Sequence, residues 1–313
     1  MRKRNNYYIT ALGRQRSSHS ALFVSDLHVG GFYSICSDSP YVSQRGTYHE
    51  PEPHQENMLE FWDSLNDRVS KRPVMLTVNG EFIDGNNKKS QSMGLWSADL
   101  NDQAEDAIKL IRRLKYDNLT VTKGSPYHSK TDGIDIDEMI ARRLNAYSYT
   151  GLVNSKNIKK YQVQESPTTI KYYLYYKILH YIFNVVHKVS HSKNQAYRPT
   201  GISRIMMTSE FEKDKLFNKK EFEGATTLYI RSHTHNNLDV GFNHSRGFVT
   251  PCWKIMDDYL TMEGISANDI GALEIIIDPN EYHGIFHLLP EKLKPKIPIP
   301  DFTPKITKTS IKH

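Results

Sequence analysis

Over its first half the chain alternates apolar, β-prone runs with stretches of helical periodicity. Ala21-Leu22-Phe23-Val24 reads as a buried strand that ends at Ser25. Residues 55–69 carry apolar side chains at 58, 59, 61, 62, 65 and 69, which is helical spacing. Val74-Met75-Leu76-Thr77-Val78 is a second strand. Residues 99–114 place Ala104, Ala107, Ile108, Ile111 and Leu114 on one helical face. Leu119-Thr120-Val121-Thr122 is a third strand, and 136–144 reads as helix. Strands and helices in this alternation predict an α/β layered domain with parallel pairing.

The second half has a different texture. Residues 158–189 are rich in Tyr, Ile and Val and fit two or three strands, with an apolar helix over 171–182 as the alternative. A helix is expected over 202–217, a strand over 226–230, and further strands over 247–255 and 272–278. Residues 31–53 form a long polar stretch without periodicity, and loops of that length are usually functional or disordered. Tyr33, Tyr41, Tyr48, His49 and His54 make it a candidate substrate gate, with core covering or self-association as the alternative. Beyond Leu289, Pro and Lys recur in a run expected to be extended or disordered. The expected organisation is therefore a basic segment 1–20, one domain 21–289 and a tail 290–313.

Composition narrows the class. The chain has 313 residues, 38% hydrophobic and 24% charged, as expected of a soluble globular protein. No apolar run reaches the roughly 20 residues of a membrane-spanning helix. The basic start, Met1 to Tyr8, is followed by no apolar stretch of signal-peptide length, so a cytoplasmic protein is expected. Cys36 and Cys252 are the only cysteines, which fits reduced thiols better than a disulfide framework. The net charge is +6, and the six lysines and two acids of residues 291–313 supply most of it. A basic tail suits either a salt-sensitive attraction to phosphate polymers or simple solubility.

Four short stretches carry the chemistry. Ser25-Asp26-Leu27-His28, Asn79-Gly80-Glu81-Phe82-Ile83-Asp84, Val185-Val186-His187 and Ser232-His233-Thr234-His235 each place Asp, Glu or His just after an apolar run. Oxygen and imidazole donors delivered from several strand ends suit two divalent metals. Asp26 and His28 are two apart, as are His233 and His235, so each pair lies on one face if the backbone stays extended. Gly80 permits unusual backbone angles beside Glu81. Arg198 is suited to bidentate phosphate contact, or to a surface ion pair.

In this order the motifs resemble the calcineurin-like metallophosphoesterases, over roughly residues 21–278 and including Thr250-Pro251-Cys252-Trp253. The chain is most similar to the stand-alone versions carried by phages and other mobile elements, which would place it in a host cytoplasm. The resemblance implies a four-layer α/β/β/α sandwich of two mixed sheets with the metals at one edge. It assigns Asp26, His28 and His235 to one ion, His187 and His233 to the second, and Glu81 to the bridging position. Asp84 matches an orienting carboxylate. Two departures stand out. Glu81 is one methylene longer than the family's bridging Asp, and Ser125 occupies the slot of a metal-ligating Asn. His128 arrives two residues late for the family's substrate-facing His, whose role is general acid. The implied cofactors are two divalent ions, manganese first, with zinc, iron or magnesium as alternatives. The implied function is phosphodiester hydrolysis, on nucleic acid or nucleotides. Phosphomonoester hydrolysis, or a catalytically impaired phosphate- or nucleic-acid-binding protein, is the alternative.

Overall fold

β1 (His19–Val24) is buried along its whole length, and its side chains divide by parity, as alternation along a strand dictates. Ala21 and Phe23 enter one apolar layer, while Leu22 and Val24 enter another. The same division recurs across the computed structural model and builds it. The structure describes residues 18–69, 71–86, 92, 94–131, 133–146, 170–190, 192, 194–216, 224–242, 245–255, 268–278 and 282–288. Residues 1–17 of the expected basic segment 1–20 and the whole expected tail 290–313 lie outside these residues, as do 147–169.

After β1 come a short hairpin, β2 (Tyr41–Val42) and β3 (Tyr48–His49), then α1 (Pro53–Val69) and β4 (Val74–Asn79). α2 (Leu100–Arg113), β5 (Asn118–Thr122), α3 (Pro126–Ser129), β6 (Lys130–Thr131), β7 (Ile134–Asp135) and α4 (Ile136–Arg143) follow. The second half contains β8 (Tyr173–Ile178), β9 (Tyr181–Val186), α5 (Thr200–Leu216), β10 (Thr226–Arg231), β11 (Leu238–Phe242) and β12 (Ser245–Val249). β13 (Gly271–Ile277) and β14 (Tyr282–Leu288) close the described chain.

Two five-stranded mixed sheets result, one ordered β14-β13-β1-β4-β5 and the other β11-β12-β10-β9-β8. Three apolar clusters separate four layers. The first packs Leu22, Leu76 and Val121 of one sheet against Trp62 of α1, Ile108 of α2 and Ile140 of α4. The second lies between the sheets and joins Phe23, Met75 and Ile275 to Tyr176, Phe183, Val185 and Ile230. The third packs Tyr229 and Val249 against Ile202 and Met206 of α5. The molecule is thus an α/β/β/α sandwich, and β1, β4 and β5 pair in parallel as the alternation of elements predicts. Trp62 and Trp253 are fully buried and meet edge-on with ring centroids 4.7 Å apart.

Several expectations are corrected. The strands expected within 158–189 include β8 and β9, an antiparallel hairpin with Tyr176 opposite Phe183, and it is the alternative helix over 171–182 that does not form. The strand expected over 247–255 stops at Val249, just before Pro251, whose missing N–H cannot join a ladder. Residues 31–53 do not form a free gate. Tyr41 is fully buried and donates to Asp102 O at 3.1 Å. His49 is buried and stacks on Trp96, and Ser37 N donates to Asp106 Oδ1 at 2.9 Å. Of the aromatics named for that stretch, Tyr48 is the markedly exposed one.

Candidate metal centre

β1, β4 and β5 run parallel in one sheet, and β9, β10 and β12 run parallel in the other. Their C-terminal ends meet at one edge, the place where open α/β sheets take ligands. Polar contacts close the seam: Ser25 Oγ lies 2.7 Å from Thr250 Oγ1, and Asn79 Nδ2 donates to Ser232 Oγ at 2.5 Å. Thr250 Oγ1 also lies 2.7 Å from Ser232 Oγ.

The residues carrying the chemistry have left the strand conformation. Asp26 (φ 50°), His28 (48°), Glu81 (53°), His233 (75°) and His235 (54°) are all left-handed. Each such residue costs about 1–2 kcal/mol when it is not glycine, and strain of this kind gathers at functional sites. The pairs Asp26/His28 and His233/His235 therefore do not converge through extended i, i+2 geometry. They do so through tight turns beyond β1 and β10, with Leu27 fully buried between the first pair. The turns after β1 and β4 brace each other through Leu27 N to Glu81 O (2.9 Å) and Val29 N to Phe82 O (3.0 Å).

Six predicted side chains gather here. His28 Nε2 lies 3.1 Å from His235 Nε2 and 3.2 Å from Glu81 Oε2, and His235 Nε2 lies 3.3 Å from Asp26 Oδ1. The other oxygen, Glu81 Oε1, lies 3.1 Å from His187 Nε2 and 3.6 Å from His233 Nδ1. Donors about 2.1 Å from one cation sit about 3.0–3.4 Å from their neighbours in tetrahedral or octahedral arrangement. The pairs His28–His235, His28–Glu81 and His235–Asp26 meet that spacing within the group Asp26, His28, Glu81 and His235; Glu81, His187 and His233 form a second group. The residues fit cations on chemical grounds too. Asp26 Oδ1, His187 Nε2 and His233 Nδ1 are buried atoms without a hydrogen bond among the described residues, a state buried polar groups rarely tolerate.

The outer atoms of these rings are already committed. His187 Nδ1–H donates to Asn79 O at 2.6 Å, which leaves Nε2 facing Glu81. His28 Nδ1–H donates to Asp84 Oδ1 at 3.0 Å, which leaves Nε2 inside the cluster. His233 N donates to Asp26 Oδ2 at 3.2 Å and so aims Oδ1 inward. Burial opposes charge on His28 and His187, yet the facing carboxylates outweigh it and hold both imidazoles up at about 9. Glu81 lies well below the usual carboxylate range, because His187 and the other imidazoles outweigh its burial. The two sets of groups thus demand positive charge at the centre, which divalent ions can supply in place of protons.

Ser125 lies against the carboxylate common to both donor groups. Its Oγ–H donates to Glu81 Oε1 at 2.6 Å, so the hydroxyl orients the shared carboxylate. His128 is largely buried, its ring edge-on to His28 at 4.7 Å, and its Nδ1–H donates to Asp84 O at 2.6 Å. Burial pushes its imidazolium below the ordinary range. Arg198 closes the turn Gln195–Tyr197 before α5, and the donor groups form without it. The residue that motif reading missed is Lys254. It is buried, and its ammonium contacts Asp84 Oδ1 and Oδ2 at 3.1 and 3.2 Å. His28, Asp84 and His128 form a third donor group, but there the cation is that ammonium. The one sequence signal for it was its position directly after Thr250-Pro251-Cys252-Trp253.

No family profile and no curated protein sequence matches the chain. Among solved structures it is similar to a Vps29 variant from Entamoeba histolytica, at 11% identity and TM-score 0.41, over 87% of this chain and 93% of that one. It is also similar to a predicted phosphoesterase from Streptococcus pneumoniae, at 10% identity and TM-score 0.32, over 87% and 99% of the two chains. A third is an archaeal phosphodiesterase, at 14% identity and TM-score 0.37, over 86% and 99%.

Proposed function

We propose that this protein is a metal-dependent phosphoester hydrolase of the metallophosphoesterase type, acting on phosphodiesters of nucleic acid or nucleotides. The observation that carries the reading is Glu81, whose two oxygens face two separate imidazole groups. Asp26, His28, His235 and Glu81 Oε2 would hold one ion, and His187, His233 and Glu81 Oε1 the other. A pair of such ions supplies Lewis acidity toward a phosphoryl group and lowers the pKa of water beside it.

The chain's own residues do the rest. Asp84 and Lys254 fix the His28 tautomer. Ser125 holds Glu81 in the orientation that presents both oxygens. His128, anchored through Nδ1, would act as general acid in its imidazolium form, giving the Nε2 proton to the leaving oxygen and reverting to the neutral Nδ1–H ring. Its substitution in His128→Ala is expected to lower kcat about 10²–10⁴-fold on esters with poor leaving groups, and less on a nitrophenyl ester that needs no acid.

The direct experiment is hydrolysis of bis-p-nitrophenyl phosphate by manganese-loaded protein, with p-nitrophenyl phosphate in parallel. Faster diester hydrolysis that a chelator abolishes supports the reading, and preference for the monoester moves the substrate class to phosphomonoesters. Folded, metal-replete protein inert on both refutes it.

A further inference from the structure

The segments around His128 and at the start of β8 carry exposed aromatic rings close to basic groups. Tyr127, next in sequence to His128, is 47% exposed and its ring meets the His128 ring edge-on at 5.0 Å. Tyr172 is 44% exposed and Tyr173 is 49% exposed. The ammonium groups of Lys123 and Lys130 each lie 5.9 Å from the centroid of the Tyr172 ring. The two segments are tied together by Lys123 N donating to Lys171 O at 2.9 Å. The chain itself links this surface to the centre, since Lys123 and Gly124 lead directly to Ser125, whose hydroxyl donates to Glu81.

The charges are not all equivalent. Lys123 is matched by Asp135 at 2.5 Å and Glu138 at 3.4 Å, so it positions the ring more than it attracts anions. Lys130 and Lys171 are exposed and pair with no carboxylate among the described residues. Exposed rings interleaved with unmatched cations are what a single-stranded nucleic acid needs: a face on which bases stack and charges that follow the phosphates. A duplex offers no free base faces.

We infer that the surface formed by Tyr127, Lys130, Lys171 and Tyr172 docks the single-stranded part of a nucleic-acid substrate next to the scissile phosphodiester. This rests on the phosphodiesterase reading for its link to chemistry, but its binding arm is measured independently. The stacking platform is Tyr172, the phosphate contacts are Lys130 and Lys171, and Tyr127 lies nearest the reacting group.

The test compares wild type with Tyr172→Ala, Tyr172→Phe and Lys130→Ala, all exposed positions. Binding of a dye-labelled, nuclease-resistant single-stranded oligodeoxynucleotide to manganese-loaded protein is read by anisotropy across a salt series. Tyr172→Ala is expected to weaken binding about tenfold, and Tyr172→Phe to restore it. Lys130→Ala is expected to lower the salt slope by about one. The ratio of kcat/KM for a cleavable oligonucleotide to that for bis-p-nitrophenyl phosphate should fall about tenfold in Tyr172→Ala. Wild-type affinity in Tyr172→Ala, or hydrolysis of the small diester by protein that binds no oligonucleotide, overturns the inference and leaves the hydrolase reading standing. Tyr172-dependent binding by protein inert on every ester supports the docking surface and overturns the hydrolase reading.

Discussion

At Asp84 three groups meet that the motifs alone would not have connected. The carboxylate accepts from His28 Nδ1 and is held by the buried Lys254 ammonium, while its backbone carbonyl anchors His128. Lys254 and His28 outweigh the effect of burial and keep the Asp84 carboxyl far below its ordinary range. Lys254→Met leaves that anion buried and unmatched, and the His28 ring loses a fixed partner. Metal affinity measured by calorimetry is expected to fall about 10–100-fold, with Lys254→Arg recovering part of it. Unchanged affinity in Lys254→Met would show that Lys254 has no part in positioning His28. At this scale the sequence disclosed the donors and concealed their posture. The residue types in the four motifs were legible because Asp and His after apolar runs are uncommon in combination. The left-handed turns at Asp26, His28, Glu81, His233 and His235 were not, because nothing in a non-glycine residue announces a positive φ.

Between elements, two glycines control how closely the strand ends approach. Gly80 has a φ of +78°, and a Cβ there would lie 2.6 Å from Gly124 Cα and 2.7 Å from His187 Nδ1. A Cβ on Gly124 would lie 2.4 Å from Glu81 N and 2.6 Å from Glu81 Cγ. Gly124→Ala must therefore push Glu81 aside, at about 1–3 kcal/mol for an overpacked site. The expected result is a thermal midpoint lowered by several degrees and weaker binding of both ions, read by differential scanning with and without manganese. A lowered midpoint with full manganese stabilisation would mean that Glu81 keeps its place. The helices and the central strands were readable from their periods, since α1, α2 and α4 carry regular apolar stripes and β1 and β4 are continuous apolar runs. β11 and β14 escaped because glycine interrupts each and neither has a continuous apolar run. The hairpin β8–β9 stayed ambiguous because tyrosine-rich runs suit buried helix and strand alike.

Across the whole molecule, the four-layer packing buries polar groups besides the donors of the centre, and two of them make stability depend on pH. Burial pushes the carboxyls of Asp106 and Asp137 up to about 7. Asp106 accepts from Ser37 N, with Asp38 raising its pKa further and Lys109 opposing. Between the ordinary carboxylate range and about 7 the folded state holds a proton that the unfolded state has lost. Stability contributed by that proton is full at low pH and is lost as pH rises toward neutrality, by about 1.4 kcal/mol per pH unit for one such group. Asp106→Asn keeps an oxygen for Ser37 N and cannot ionise. Its thermal midpoint is expected to decline less than that of wild type between pH 5 and 7, and parallel declines would contradict the assignment. The layers were foreseeable from the alternation of strands and helices, whereas Asp106 under the loop at Ser37 and Asp137 under Gly124 owe their burial to tertiary packing that no local pattern encodes.

The centre itself depends on one carboxylate shared between two sets of imidazoles. Titration of chelator-stripped protein with manganese, followed by metal analysis of the isolated complex, measures that sharing directly. Wild type is expected to hold two equivalents per chain, and Glu81→Ala to lose affinity for both together. One equivalent or none at saturation, or loss of a single ion in Glu81→Ala with the other bound as in wild type, would contradict the account.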